Sequence, residues 1–214
     1  MVRLRSIGLV AAVVVGLSGC AAQPTASPAP PSPSSDPHPG APAVVEITAD
    51  GFRVLDAAGT ELDEIALGDD YQPVVAALSD AIGAEPVVSE WTLEDSCKAG
   101  TYYTWDDKVW VFFYEDQRLP PFPRTELTVI AQTEGQVAFR ADAGFAVGSD
   151  AAPLTAGLPA DQVSTENGAF VWDKLADVVD GGGETRAFGA AAIVQDGAVS
   201  ALMPKATILS GYGC

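Results

Sequence analysis

With 214 residues the chain can build one large or two small domains, and 48% apolar content with clustered aromatics argues against an unstructured protein. Eleven Lys and Arg stand against 29 Asp and Glu, for a formal net charge of −18 at pH 7. That excess argues against nucleic acid as a partner, and against direct adhesion of a folded domain to an anionic membrane surface.

Residues 1–5 form a basic start, and 7–17 an apolar run of 11 residues. The run is too short to cross about 30 Å of hydrocarbon as a helix. Leu17-Ser18-Gly19-Cys20 follows and resembles the bacterial lipoprotein signal. The resemblance implies that residues 1–19 are removed and that the Cys20 thiol carries a diacylglycerol. The protein would then be lipid-anchored at the extracytoplasmic face of the cell membrane, held stably because two acyl chains suffice where one is marginal. Residues 20–43 are rich in Pro, Ser and Ala, with eight prolines among 21–43. Such a segment cannot bury a core and extends at about 3.1 Å per residue, so it reads as a stalk of roughly 70 Å at most. The only histidine, His38, lies in this spacer and is a poor catalytic or metal candidate.

The folded ectodomain is expected over 44–214. Residues 44–48 and 52–56 alternate around Asp50-Gly51 and predict a hairpin. Ala58-Gly59 turns the chain into a strand over 60–67. A helix is expected from about Asp70 to Ile82, with Val74, Val75, Leu78 and Ile82 on one face and Gly83 ending it. Next, T-Y-Y-T-W-D-D-K-V-W-V-F-F-Y over 101–114 reads as a hairpin turning at Asp106-Asp107. That register sets Tyr102, Val109, Val111 and Phe113 on one face. Tyr103, Trp105, Trp110, Phe112 and Tyr114 form an aromatic carpet on the other. The loop 115–125 carries Leu119 and Phe122 between Arg118 and Arg124, stiffened by Pro120, Pro121 and Pro123. Phe122 either folds back over the core or belongs to a partner-contacting loop. Residues 127–132 and 136–140 predict another hairpin around Glu134-Gly135, and a last one spans 191–203 around Asp196-Gly197.

The stretch I-A-L-G-D-D-Y-Q-P-V-V-A-A-L at 65–78 echoes F-A-V-G-S-D-A-A-P-L-T-A-G-L at 145–158, with Gly68/Gly148, Asp70/Asp150 and Pro73/Pro153 among the identities. Ala143-Gly144 repeats Ala58-Gly59, and Trp172-Asp173 echoes Trp105-Asp106. These echoes predict an α+β fold of two tandem copies, about 44–125 and 126–214. Each copy would be a short helix plus antiparallel strands, with the helices on one side of the sheet.

Two cysteines remain after Cys20. Outside the cytoplasm Cys97 and Cys214 are expected to pair as a disulfide, closing a loop of over one hundred residues. The chain-entropy model values that closure at about 4–5 kcal/mol. Without a histidine in the ectodomain, no Ser/His/Asp or Cys/His triad and no histidine metal centre can be assembled there. Neither a cofactor nor a metal is implied. Only carboxylate pairs offer chemistry: Asp69/Asp70, Glu94/Asp95, Asp106/Asp107 and Glu115/Asp116.

The lipobox, stalk and doubled G-x-D-x-x-P unit resemble small actinobacterial cell-surface lipoproteins of unassigned function. More remotely, the layout is similar to the beta-lactamase-inhibitory-protein architecture, whose two copies form a concave sheet that grips a partner. That similarity is of layout alone and carries over no binding residues; the aromatic and arginine side chains themselves suggest a non-enzymatic binding module for a protein or cell-wall component, with the membrane reached only through the lipid. The contact residues would be Tyr103, Trp105, Trp110, Phe112 and Tyr114, rimmed by Arg118, Phe122 and Arg124. A carboxylate-dependent cell-wall hydrolase and a structural spacer are the alternatives.

Overall fold

The computed structural model describes residues 40–91, 99–115, 121–164, 168–179 and 183–207. Cys20, Cys97, Cys214 and Arg118, like the signal and most of the stalk, lie outside the described residues.

The described residues are 54% strand, with two short helices. This corrects the α+β expectation: the fold is mostly β, in two largely antiparallel sheets, and is not two tandem helix-plus-strand copies. The strands are β1 (Pro42–Ile47), β2 (Gly51–Asp56), β3 (Glu61–Ala66), β4 (Val87–Trp91), β5 (Gly100–Trp105), β6 (Val109–Tyr114) and β7 (Thr125–Val129). Then come β8 (Thr133–Glu134), β9 (Val137–Ala141), β10 (Val163–Ser164), β11 (Ala169–Val179), β12 (Thr185–Gln195) and β13 (Ala198–Thr207). One sheet has the order β3-β2-β1-β9-β8 and the other β10-β11-β12-β13-β7-β6-β5-β4. Each proposed copy therefore feeds both sheets.

The pairing that most clearly breaks a tandem arrangement is β1 with β9, which is parallel and joins the two halves. Its outer face carries an ionic clasp. The Glu46 carboxylate accepts from Arg53 Nη2 at 2.6 Å and from Arg140 Nη2 at 2.8 Å, one partner on each flanking strand. The expected hairpin of 127–132 with 136–140 forms only in part: Thr133 and Glu134 pair with Ala138 and Val137 about Gly135-Gln136, and Phe139 N–H donates to the Gln132 carbonyl. Strand β7 joins the large sheet, whereas β9 pairs with the two-residue β8 and with β1. The first hairpin does form, but Thr48 N–H donates to the Gly51 carbonyl, so Ala49-Asp50 is the turn and Gly51 opens β2. Strand β1 begins at Pro42, two residues inside the segment read as stalk.

Helix α1 (Gln72–Ile82) matches its sequence pattern. The Asp70 carboxylate accepts from Gln72 N–H, Pro73 occupies a first turn where N–H groups lack helical partners, and Gly83 closes the helix at φ 78°. Its buried positions Val74, Ala77, Leu78, Ala81 and Ile82 repeat at helical spacing. They enter one core with Val45, Ile47, Phe52 and Phe139 of the small sheet and Trp105, Val109, Val111, Leu127 and Leu202 of the large one. The second helix, α2 (Ala151–Thr155), keeps the same start, with Asp150 accepting from Ala152 N–H, yet buries only Ala151. The sequence echo is therefore a repeated helix-start device, and it does not extend to the architecture.

Candidate functional site: an aromatic margin of the large sheet

Strands β4 to β7 form a regular stretch of the large sheet, with no register shift in any of their three pairings. Their outward face carries a ladder of rings. Trp91 stacks on Tyr102 at 5.3 Å, Tyr102 meets Phe112 at 4.4 Å, and Phe112 meets Tyr114 edge-on at 4.4 Å. Phe112 also touches Trp91 at 5.7 Å and is the hub, 7% exposed. Trp91, Tyr102 and Tyr114 remain half-buried. The hub depends on Gly100, because a Cβ there would lie 2.5 Å from the Phe112 ring and 2.4 Å from the Phe113 carbonyl. A ring folded over a glycine backbone is a known way to pin strand register.

This ladder is not the expected carpet. Asp106 and Asp107 do make the tight turn, both with left-handed φ, and Lys108 N–H donates back to the Trp105 carbonyl. Lys108 is then an extra residue, and the ladder resumes with Trp105 opposite Val109 and Tyr102 opposite Phe112. One added residue in one strand exchanges the faces of every residue behind it. The carpet is thereby split. Tyr103 and Trp105 turn to the core side, while Trp110, Phe112 and Tyr114 face outward with Tyr102 and Trp91. Lys108 itself is drawn across to Glu134, 2.7 Å from Nζ, and this hydrogen bond raises its pKa.

The remaining expected residues have structural work. Trp105 is 3% exposed and donates Nε1–H to the Ala84 carbonyl just past α1. Tyr103 stacks on Tyr71 at 5.0 Å. Its phenol pKa is raised above the usual range, first by burial and then by the hydrogen bond with Tyr71. Trp110 is half-buried, with Nε1–H enclosed and without a hydrogen-bond partner among the described residues. Phe122 packs edge-on to Phe188 at 5.3 Å, which is the folded-back alternative. Arg124 is engaged: it donates to the carbonyls of Tyr114 and Glu115, and its guanidinium lies 4.5 Å over the Phe113 ring. It thereby links the residues on either side of 116–120.

Trp91 and Tyr102 are the members that sequence reasoning missed. Tyr102 is legible once the extra turn residue is counted. Trp91 is missed because nothing in V-V-S-E-W names its neighbour strand. Tyr114 donates its hydroxyl to Glu126 at 2.8 Å. Burial, with the Glu126 charge second, raises the Tyr102 pKa, so this phenol stays a neutral hydrogen-bond donor. The margin thus offers flat rings and phenol groups, suited to an apolar side chain or a sugar face.

Asp69, Asp70, Asp106, Asp107 and Glu115 are exposed at turns, while Glu94, Asp95 and Asp116 lie outside the described residues. Among the described residues no three of His, Cys, Asp and Glu are grouped to hold a metal ion. No helix among them is long and apolar enough to cross a membrane. No family model, curated protein or solved structure matches the chain.

Proposed function

We propose that the chain is a lipid-anchored binding module at the extracytoplasmic face of the cell membrane, which contacts a protein or cell-wall component through the margin β4–β6. The observation that carries this reading is the four-ring ladder of Trp91, Tyr102, Phe112 and Tyr114, rigid through Phe112 and half-open at its other rings. Rigid aromatic side chains bury large areas on contact at little cost in side-chain freedom. The anchor rests on the Leu17-Ser18-Gly19-Cys20 motif, and the stalk would lift the margin clear of the lipid.

Photo-cross-linking in intact envelopes tests the reading, with a photoreactive side chain placed at position 102 or, as control, at exposed Leu175 of β11. A discrete adduct from position 102 and none from 175 is the expected result. Equal adducts from both positions, or none from either, would contradict the proposal.

A further inference from the structure

Every open sheet has edges, and unpaired N–H and C=O groups on an edge strand invite another strand. Four edges occur among the described residues, and three are protected. Strand β3 carries Glu61, Asp63 and Glu64, all exposed. Strand β8 is two residues long. Strand β10 is equally short, and the part of β11 beyond it is broken by two register shifts and lined by Asp173, Lys174 and Asp177. The fourth edge, β4, has no proline, no lysine and no bulge, and it leaves Val87 69% and Val88 56% exposed. Among the described residues it pairs with β5 alone, so alternate residues direct their N–H and C=O away from that partner.

The two faces of this edge differ. Val87 and Trp91 lie on the outward side, opposite Thr104 and Gly100 and beside the ring ladder. Val88 and Glu90 lie on the core side, where Val88 is opposite Tyr103. Tyr103 stacks on Tyr71, which lines a surface groove of about 340 Å³ along α1 with Val75, Ala76, Asp80 and Glu85. Asp80 and Glu85 thus line one groove, Glu90 lies on the core side of β4, and β4, β5, β6 and α1 contain no Lys or Arg.

We propose that β4 receives an extended segment of a partner protein as an added strand. Basic residues at alternate positions of that segment meet Glu90, Asp80 and Glu85, and the apolar residues between them lie along Val87 and Trp91. Main-chain pairing gives the affinity in this mode, and alternating side-chain contacts give the selectivity. The net charge of −18 disfavours a second copy of this chain as occupant. This inference rests on the binding-module reading and specifies its partner.

The test uses the full-length chain in detergent micelles and an end-capped eight-residue peptide alternating lysine and valine, with backbone amides followed by NMR. Shifts confined to 87–91, its β5 partners and the α1 groove are expected. N-methylating alternate peptide residues, which keeps every side chain and charge, should weaken binding about tenfold or more. The exposed pair E85K and E90K should weaken the lysine peptide and admit a glutamate–valine peptide instead. Equal binding of the methylated peptide would reduce the effect to charge adhesion and overturn strand addition. Shifts located elsewhere, or β4 shifts that follow protein concentration without peptide, would overturn it as well. If the peptide fails while cross-linking from position 102 persists, strand addition falls and the binding-module reading stands; loss of both removes both.

Discussion

Strands β3 and β4 are both edge strands of five or six residues, and they solve opposite problems. Strand β3 reads E-L-D-E-I-A, with three acids on the open side of the small sheet. Strand β4 reads V-V-S-E-W, with two exposed valines and a ring that continues into a ladder. The supports differ too. Strand β3 pairs with β2 through a register shift between Val54 and Leu55, whereas β4 sits on an unshifted ladder. A chain that guards one edge with three acids and leaves another with a single acid and two exposed valines keeps the second available for pairing. The protected edge shows that exposure alone is not the rule in this molecule.

The largest way to break the comparison is to remove what stands behind β4. Trp105→Ala empties a buried site and leaves the Ala84 carbonyl without its indole donor. It should cost about 3–5 kcal/mol of stability, measured by chemical denaturation. Trp91→Ala, which loses a half-exposed ring stack, should cost about 1 kcal/mol. Comparable losses would mean that the two faces of the hairpin are equally structural.

Alkaline titration comes next. Tyr102, Tyr103, Lys108 and Lys174 all have raised pKa values in the folded chain. A raised folded pKa means that the native state holds more protons than the unfolded state at high pH, so stability falls there as pH rises. The contribution is complete below about pH 10, where unfolded tyrosine begins to titrate, and is lost above it. Asp161 runs the other way. Its hydrogen bond to Lys174 lowers its pKa, so its contribution is present at neutral pH and lost as the solution is acidified. Denaturation midpoints across pH 8–12 should fall progressively above about pH 10. Because two of the raised groups lie in β5, hydrogen exchange should accelerate first in β4 and β5. A midpoint flat to pH 12 would contradict this ordering.

The smallest effect on stability is expected at β3. Replacing Glu61, Asp63 and Glu64 together by threonine should change stability by no more than about 0.5 kcal/mol per site. The same variant should associate with rising concentration in sedimentation, because a second edge is now unguarded. A variant that stays monodisperse would show that the acids are not what protects β3.

Legibility followed the range of the interactions. Helix α1 was readable because its signals are local: Asp70, Pro73, apolar residues at helical spacing and Gly83. The last hairpin was readable for the same reason, since Asp196 and Gly197 both take the left-handed φ that their types favour. The carpet failed on a single residue, Lys108 as a third turn residue, which changes the parity of every aromatic behind it. The fold class failed on distance. Nothing near Glu46 announces that its carboxylate will bridge to Arg140 across 94 residues, or that β1 will run parallel to β9. The repeated G-x-D-x-x-P was correctly seen as a helix start, but Pro159 stops a second helix from growing, and the strands around each copy differ.

The most direct test of the account is hydrogen exchange on the full-length protein, compared between native envelope membranes and detergent. Strand addition predicts slower exchange over 87–91 in the envelope, with 61–66 of β3 unchanged. Equal rates in the two settings over 87–91, or slowing at β3 instead, would contradict it.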